Sequence, residues 1–137
     1  MIVIIEIWKD IKGYEGLYQV SNLGNVKSLK RIYYSGTGHN TVKICSEKIL
    51  SPRKTKTGYC RVGFKTNGKN KDFYIHRLVA IAFLEQKKDC FEINHKDEDK
   101  SNNSVYNLEW CDRKYNCNYG ERNLKLSIAN KNKTVIL

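Results

Sequence analysis

The 137-residue sequence lacks any long apolar run. The apolar stretch at its start, MIVIIEIW, is interrupted by Glu6 after five residues. Such a stretch is too short for the apolar region of a secretory signal peptide, and it is far below the about 20 residues that a membrane-spanning helix needs. We therefore expect a cytoplasmic protein with no membrane partner.

Closely paired cysteines are absent as well. The five cysteines are an odd number, and no two of them form a CxxC pair. In a reducing compartment this pattern indicates reduced thiols. A zinc site built from Cys90, Cys111 and Cys117 would lack the close ligand pairs of structural zinc sites, and we do not expect one.

Acidic residues are scarce relative to basic ones. There are 14 Asp and Glu against 25 Lys and Arg, which gives a net charge of +11 at pH 7. A charge so far from zero on a short chain indicates a polyanionic partner, and nucleic acid is the leading candidate. A membrane surface would require the cations along one face of an amphipathic helix, whereas here they alternate with Tyr, Thr and Gly in strand-like stretches.

Apolar residues are nevertheless sufficient for a core. They make up 40% of the sequence, and aromatic residues make up 11%, so the composition is not that of a disordered chain. The length fits one domain, or two small modules that share a core. We find no internal repeat or low-complexity segment, and we expect a globular protein.

Turn residues and short apolar runs predict a β-rich first half. Strands are expected at residues 18–21 and 25–29, joined by the turn Asn22-Leu23-Gly24-Asn25. The segment YYSGTGHNTVK, residues 33–43, is typical of a long surface loop, and its His39 is expected to be solvated.

A second β region and a helix follow. Polar and apolar side chains alternate in residues 59–65, which is the period-two pattern of a half-buried strand. Asn67-Gly68 then offers a tight turn into a strand at residues 72–75. In HRLVAIAFL, residues 76–84, apolar side chains recur four apart, and this pattern predicts a short, largely buried helix.

Beyond this helix the chain becomes polar. Short strands at residues 91–94 and 108–110 enclose a polar loop, and a further helix is expected from about Asp112. The tail, residues 121–137, is basic and weakly patterned, with a helix-like pattern near residues 124–128.

Two stretches of the sequence resemble a known family. HRLVAIAF followed by INHKDEDKSNNSVYNLEWCDRKYN is similar to the HNH nuclease module of phage and intron-encoded homing endonucleases. IWKDIKGYEGLYQVSNLGNVKSLKR resembles the nuclease-associated modular DNA-binding segment that precedes that module. The resemblance implies an α+β fold: a small antiparallel β-sheet module in residues 1–70, then a ββα-metal (HNH) nuclease module in residues 71–120, and a basic tail in residues 121–137.

The same resemblance implies a site in which two short antiparallel strands and a helix hold one divalent cation against a DNA phosphate. By position, His95 would be the general base, Asn107 would hold the loop, and Asn116 would be a metal ligand on the helix. Asn94 matches a position that is often an aspartate ligand. The implied cofactor is a divalent metal ion, either Mg²⁺ or Mn²⁺.

The residues themselves support that chemistry. Phosphodiester hydrolysis needs an activated water and stabilisation of charge on the phosphate and on the leaving oxygen. A histidine with a pKa of about 6.5 can accept a proton from water near neutral pH if an acceptor orients its other ring nitrogen. The resemblance implies that this acceptor is commonly a backbone carbonyl.

Neutral ligands are a departure from the family pattern. Mg²⁺ normally takes one or two carboxylates, whereas Asn94 and Asn116 are amides, so we expect weak metal binding in the absence of DNA. Asp97 or Asp112 is close enough in sequence to supply a carboxylate, but we expect neither to bind the metal directly.

The candidates for DNA contact are basic residues in the sheet-like stretches and in the first helix. They could also form an ordinary solvated sheet face, but the net charge favours a surface that follows a DNA groove. The predicted DNA-binding residues are Lys27, Lys30, Arg31, Arg53, Lys54, Lys56, Arg61, Lys65 and Arg77.

Several neighbouring residues are expected to have structural roles. His76, at the start of the predicted helix, should cap or pack rather than react. Asn102, Asn103 and Ser104 fit turn formation. The aromatic residues expected in the core are Tyr74, Phe83 and Trp110.

Three functions are compatible with the sequence. The first is a metal-dependent DNA endonuclease that nicks or cuts double-stranded DNA. The second is a DNA-binding protein that retains the HNH fold without cleavage, which the missing carboxylate at Asn94 favours. The third is a structured-RNA binder, since basic strands and exposed Tyr would suit RNA. We expect the first, acting as a monomer or homodimer in a host or phage-infected cell.

Overall fold

The structure, a computed structural model that describes residues 2–35 and 41–120, is built mainly from short antiparallel strands. His39 and the predicted basic tail lie outside the described residues. In chain order the elements are β1 (Trp8–Asp10), β2 (Tyr18–Ser21), β3 (Val26–Ser28), β4 (Arg31–Ser35), β5 (Thr41–Cys45), β6 (Lys48–Ile49), β7 (Arg53–Lys54), β8 (Cys60–Thr66), β9 (Lys69–Tyr74), α1 (Ile75–Phe83), β10 (Glu92–His95), a 3₁₀ turn (Val105–Asn107), β11 (Leu108–Cys111) and α2 (Arg113–Asn118).

The strands are arranged in four small sheets. The first has the order β1-β2-β3-β6, the second is the hairpin β4-β5, the third has the order β7-β8-β9, and the fourth is the pair β10-β11. All pairings are antiparallel. This mixed, sheet-rich architecture with few helices confirms the predicted α+β class.

One hydrophobic core joins the first sheet, the third sheet and the final strand pair through α1. Helix α1 contacts β2, β8, β9 and β11, and its buried side chains include Leu78 and Val79. The rings of Tyr18 and Phe64 are stacked with centroids 4.0 Å apart, which ties β2 to β8. Burial of each such large apolar side chain contributes about 1.5–3 kcal/mol. The nuclease-like segment is therefore packed directly against the N-terminal strands.

Most of the predicted elements are confirmed, with small shifts in their bounds. The strand predicted at residues 18–21 is β2, and the helix predicted at residues 76–84 is α1, which begins one residue earlier. The strand predicted at residues 72–75 is longer, because it pairs with β8 directly after the tight turn at Asn67-Gly68. Asn67 has a φ of 50° there, a conformation that Asn tolerates better than most residues.

The prediction of a loop over residues 33–43 is wrong at both ends. Strands β4 and β5 pair from Arg31↔Cys45 to Ser35↔Thr41. The flanks of this segment are rich in β-branched and aromatic residues, which favour strands, whereas the Gly and Ser content of its centre dominated the prediction. The large side chains that this hairpin exposes are Ile32, Tyr33, Tyr34, Val42 and Ile44.

The prediction of a core position for Tyr74 is also wrong, since this side chain is 39% exposed. Its neighbour Phe73 packs against the core, so the period-two geometry of β9 turns Tyr74 to the other face. Phe83 and Trp110 are partly buried against the core, as expected.

Strands β10 and β11 and helix α2 form a ββα unit at the end of the described chain. Register pairs Asn94 with Glu109 and His95 with Leu108, so successive residues of each strand point to opposite faces. One face carries Ile93 and His95 toward the core. Helix α2 packs against β10, and Asp112 caps its first turn by accepting a hydrogen bond from Tyr115 N at 2.7 Å.

Among the described residues, no helix combines the length and the apolar character needed to cross a bilayer.

Candidate active site

His95 ends β10 and is only 5% exposed. Its Nε2 lies 2.9 Å from Oδ1 of Asn103. Because an amide oxygen can only accept, the proton of the neutral imidazole sits on Nε2 and the lone pair remains on Nδ1. The acceptor that orients the ring is therefore a side chain, and the expectation of a backbone carbonyl is wrong for this nitrogen.

Asn103 was missed by sequence reasoning, which predicted only a role in turn formation. Its side chain is buried and faces His95 across the loop. The two residues are eight apart in an irregular segment, so no strand or helix period brings them together. The two side chains meet because the loop between β10 and β11 closes on itself.

His76 packs beside His95, with ring centroids 5.2 Å apart. Burial, followed by the nearby charges of His95 and Arg77, lowers the pKa of His76 to about 4. Its Nδ1 is buried and has no hydrogen-bond partner among the described residues. His76 is therefore neutral near pH 7 and is held by packing between aromatic rings, including that of Tyr59.

Asn107 closes the neck of the polar loop between β10 and β11. Its Oδ1 accepts a hydrogen bond from Asp97 N at 3.0 Å, and its Nδ2 donates to Asp97 Oδ1 at 2.8 Å and to Asn102 O at 2.9 Å. Its backbone oxygen accepts from Lys96 N at 2.8 Å. The structure thus places Asn107 across the loop, where a group with both donor and acceptor atoms is required.

Asp97 belongs to the same hydrogen-bond network. Its carboxylate accepts from the side chain of Asn102, from the backbone of Asp99 and from Asn107, and these bonds hold the pKa of Asp97 below its ordinary value. Asp112 is occupied as the cap of α2. Both carboxylates therefore serve local structure in the described conformation.

Asn94 and Asn116, the two predicted metal ligands, each lie against a glutamate. Nδ2 of Asn94 donates to Oε1 of Glu109 at 2.8 Å, and Nδ2 of Asn116 donates to Oε2 of Glu92 at 2.7 Å. Tyr115 on α2 also donates to Oε1 of Glu109, at 3.0 Å. These bonds bring α2 and both strands together around one polar cluster.

Glu92 and Glu109 were also missed by sequence reasoning, although a signal was present. Glu92 lies two residues before Asn94, and Glu109 is the register partner of Asn94, so all three side chains share one face of the strand pair. Strand register was the information that the sequence pattern did not supply.

The donor chemistry of this face fits a hard divalent cation. Mg²⁺ and Mn²⁺ prefer oxygen ligands, and the face offers the amide oxygens of Asn94 and Asn116 together with the carboxylates of Glu92 and Glu109. No group of three or more His, Cys, Asp or Glu side chains in the described ranges could hold a metal ion. A cation at this face would therefore depend on the amides as well as the glutamates.

The predicted DNA-binding residues divide into exposed and engaged side chains. Arg31 donates to the hydroxyl of Tyr18 at 2.8 Å, and Lys27 pairs with Glu47 at 3.2 Å. Arg53 pairs with Asp72 at 2.6 Å, and Arg61 is half-buried. Arg53 is exposed despite its ion pair. The remaining predicted cations are exposed and make no ion pair with another described residue, although Arg77 also donates to Phe91 O at 3.4 Å: Lys30, Lys54, Lys56, Lys65 and Arg77.

All five cysteines are free thiols. Cys111 is buried on β11, and burial, followed by neighbouring carboxylates, raises its pKa to about 11. A thiol with so high a pKa stays protonated and is a poor nucleophile or metal ligand near neutral pH.

Two family models match the chain. Residues 6–65 match the NUMOD4 motif, and residues 73–117 match the HNH endonuclease family. The second match contains the ββα unit with His95, Asn107 and Asn116.

Curated relatives match over the same region. The DNA endonuclease I-HmuI of Bacillus phage SP01 is 45% identical over 109 residues, which are 80% of this chain and 54% of the relative. The uncharacterized HNH endonuclease L245 of Acanthamoeba polyphaga mimivirus is 42% identical over 71 residues, which are 52% of this chain and 22% of the relative. The chain thus spans about half, or less, of the length of these relatives.

A solved structure has a similar fold. The chain aligns with the structure titled "DNA binding and cleavage by the HNH homing endonuclease I-HmuI" with a TM-score of 0.62 and 37% sequence identity. The alignment covers 91% of this chain and 59% of that chain.

Proposed function

We propose that this chain, which belongs to the HNH endonuclease family and carries a NUMOD4 motif, is a metal-dependent endonuclease that hydrolyses phosphodiester bonds in double-stranded DNA. The observation that carries the proposal is the ββα unit. It brings His95, at the end of β10, next to Asn94, whose hydrogen bond to Glu109 and whose neighbours Glu92 and Asn116 form one polar cluster.

His95 acts as the general base in this proposal. Its Nε2–H donates to Asn103, so Nδ1 is the nitrogen that accepts a proton from the attacking water. A general base of this kind contributes about 10²- to 10⁴-fold to a rate. The bond to Asn103 also prevents the ring from rotating, so the lone pair keeps one direction.

The divalent cation would be held by the amide oxygens of Asn94 and Asn116 and by the carboxylates of Glu92 and Glu109. When bound, such a cation supplies charge stabilisation for the phosphate and for the leaving oxygen. In the described conformation the NH₂ groups of both amides donate to the two glutamates. For the amide oxygens to join those carboxylates around a cation, these hydrogen bonds would have to break and the amides would have to turn.

Exposed cations would hold the duplex against this site. The net charge of +11 gives a sequence-independent attraction to the phosphate backbone. Because the described residues contain a single ββα unit, we propose that one protomer cuts one strand, so that the first product from a plasmid is open-circular DNA. A double-strand cut then requires a second protomer or a second encounter.

Incubation of supercoiled plasmid with the protein and Mg²⁺ or Mn²⁺ tests the proposal. Conversion to open-circular DNA that stops when the cation is chelated is the expected result. Binding of the plasmid without conversion under either cation would indicate a DNA-binding protein that does not cleave DNA and would contradict the endonuclease proposal.

A DNA-binding protein without cleavage is the alternative function. It is favoured by one observation, namely that both signature positions near the proposed cation carry a neutral amide rather than a carboxylate. Glu92 and Glu109, however, place two carboxylates beside those amides, and carboxylates are the ligands that the amides do not supply.

A further inference from the structure

The buried hydrogen bond between His95 and Asn103 joins the proposed base to the far side of the polar loop. Both side chains are 5% exposed, so water does not compete for the bond. The resemblance to homing endonucleases implied a backbone carbonyl at this position, which substitution cannot remove. A side-chain acceptor can be removed or replaced, and this makes its role testable.

Asn103 is in turn held by the N-terminal strands. Val105 N donates to Asn22 O at 2.8 Å, which ties the loop to the turn between β2 and β3. Gly24 in that turn lies against the backbone of Asn103. A Cβ on Gly24 would be 2.9 Å from Asn103 O, which is closer than real Cβ atoms approach, and 3.0 Å from Asn103 Cβ, which is tighter than most real contacts.

The turn itself is fixed by the backbone conformation of Gly24 and by two hydrogen bonds of Asn22. Gly24 has a φ of +88°, a conformation that an L side chain rarely adopts. The side chain of Asn22 accepts from Ile7 N at 2.7 Å and donates to Ile5 O at 3.1 Å. The turn is therefore anchored to the start of the chain, and the absence of a side chain on Gly24 leaves room for the backbone of Asn103.

We infer that Asn103 is the positioning residue for His95, and that the β2–β3 turn of the NUMOD4 region holds Asn103 in place. The N-terminal strands thereby act as a scaffold for the cleavage site, in addition to any contact they make with DNA. This inference rests on the proposed role of His95 as the base.

The first test removes or keeps the acceptor at position 103. Asn103→Ala lacks it, Asn103→Asp retains an oxygen there, and Ser104→Ala is the control on the neighbouring residue, whose side chain makes no capping bond to the 3₁₀ turn. For Asn103→Ala we expect the single-turnover cleavage rate to fall on the order of 10- to 100-fold with DNA affinity unchanged. Asn103→Asp should recover most of that loss, and Ser104→Ala should behave as wild type.

The imidazole of His95 gives a readout that does not depend on cleavage. Long-range ¹H–¹⁵N spectra of the whole chain should show one tautomer, protonated at Nε2, in wild type and in Ser104→Ala. They should show a mixture of tautomers in Asn103→Ala. If the wild-type protein does not cleave DNA, the proposed endonuclease function is wrong. If the His95 tautomer is unchanged in Asn103→Ala, Asn103 does not position His95, whatever the result of the cleavage assay.

The second test leaves position 103 intact and changes the turn. Gly24→Ala introduces a methyl group against Asn103. Gly13→Ala is a matched control, since Gly13 has a nearly identical φ of +87° but open space where its Cβ would be. We expect Gly24→Ala to slow cleavage and to alter the His95 signals while both variants remain folded by circular dichroism.

Equal effects of the two glycine substitutions on rate and on the His95 signals would overturn the scaffold role, because backbone strain alone would then explain both. If Gly24→Ala does not fold, Asn22→Ala replaces it. That substitution removes the bonds to Ile5 and Ile7 and should produce the same selective change at His95.

Discussion

At the scale of single residues, the amide group has an unusual importance in this site. Asn107 uses its oxygen and its nitrogen at once to close the loop, and Asn103 offers His95 an acceptor that carries no charge. A carboxylate at position 107 would lose the two donated bonds, and each net hydrogen bond is worth about 0.5–1.5 kcal/mol. Asn94 and Asn116 likewise use their nitrogens, each donating to a glutamate.

Substitution at Asn94 and Glu109 tests whether their face binds a cation. Asn94→Asp adds a carboxylate and should tighten Mg²⁺ or Mn²⁺ binding in the absence of DNA by about tenfold or more, whereas Glu109→Gln should weaken it, since hard cations prefer charged oxygen ligands. Isothermal titration calorimetry measures both. Glu85→Gln, at an exposed position after α1, is the control and should leave the affinity unchanged.

A binding constant that stays the same, or becomes weaker, in Asn94→Asp would show that this position is not at the cation. An unchanged binding constant in Glu109→Gln would show that the Glu109 carboxylate is not a ligand of the cation.

The low pKa of His76 predicts how stability depends on pH. This pKa falls from 6.5 in the unfolded chain to about 4 in the folded one. The folded state binds the proton less readily, so the contribution of His76 to stability is complete above about pH 6.5 and is lost as pH falls toward about 4. By linkage the loss is at most about 3 kcal/mol.

Urea unfolding of the wild type and of His76→Phe, measured near neutral pH and near pH 5, checks this dependence. The wild type should lose more stability than the variant on acidification, because only the wild type carries the buried His76, whose pKa is lowered in the folded state. Parallel losses in the two proteins would show that other groups carry the acid sensitivity.

At the scale of elements, α2 is a short helix that carries Asn116 and depends on its cap. Asp112 accepts from Tyr115 N at 2.7 Å, and the helix has only six residues, so few other contacts hold its first turn. Asp112→Ala should destabilise the helix by about 1 kcal/mol and release Asn116 from Glu92. Faster amide hydrogen exchange in residues 113–118 would be the direct sign, and Lys114→Ala on the same helix should not cause it.

The elements were also where prediction from sequence worked best. The strand at residues 18–21, the buried helix and the ββα order follow from periodicity, turn residues and motif resemblance. The partners of the site residues did not follow. Glu109 meets Asn94 through strand register, and Asn103 meets His95 through closure of a loop, and neither relation leaves a periodic trace in the sequence. Hairpin β4-β5 was missed because glycine-rich and polar residues at its centre obscured the flanking strand formers.

At the scale of the whole molecule, the positive charge and the shared hydrophobic core together determine how DNA would be held relative to the site. The core joins the N-terminal strands to the ββα unit through α1, so a duplex that bound to the cations of one part would be held at a fixed distance from the other. Several of the predicted cations are already paired within the fold, which leaves Lys30, Lys54, Lys56, Lys65 and Arg77 as the exposed set.

DNA affinity should therefore depend strongly on salt. If the five exposed cations contact phosphates, log K should fall with log salt with a slope of about −4 to −5. Lys54→Ala should make the slope shallower by about 1, and Lys88→Ala, on the connection after α1, should not change it. Fluorescence anisotropy with a labelled duplex over a range of salt concentrations measures the slope. A slope near zero would contradict electrostatic docking.

The central claim is that His95 is the base of a hydrolytic site, and single-turnover cleavage by His95→Ala tests it most directly. With protein in excess over a DNA duplex and saturating Mn²⁺ or Mg²⁺, we predict a rate at least about 100-fold below that of wild type, because the proton acceptor is lost. The dissociation constant for DNA should stay unchanged. A variant that binds the duplex equally well and cleaves it at the wild-type rate would contradict the account.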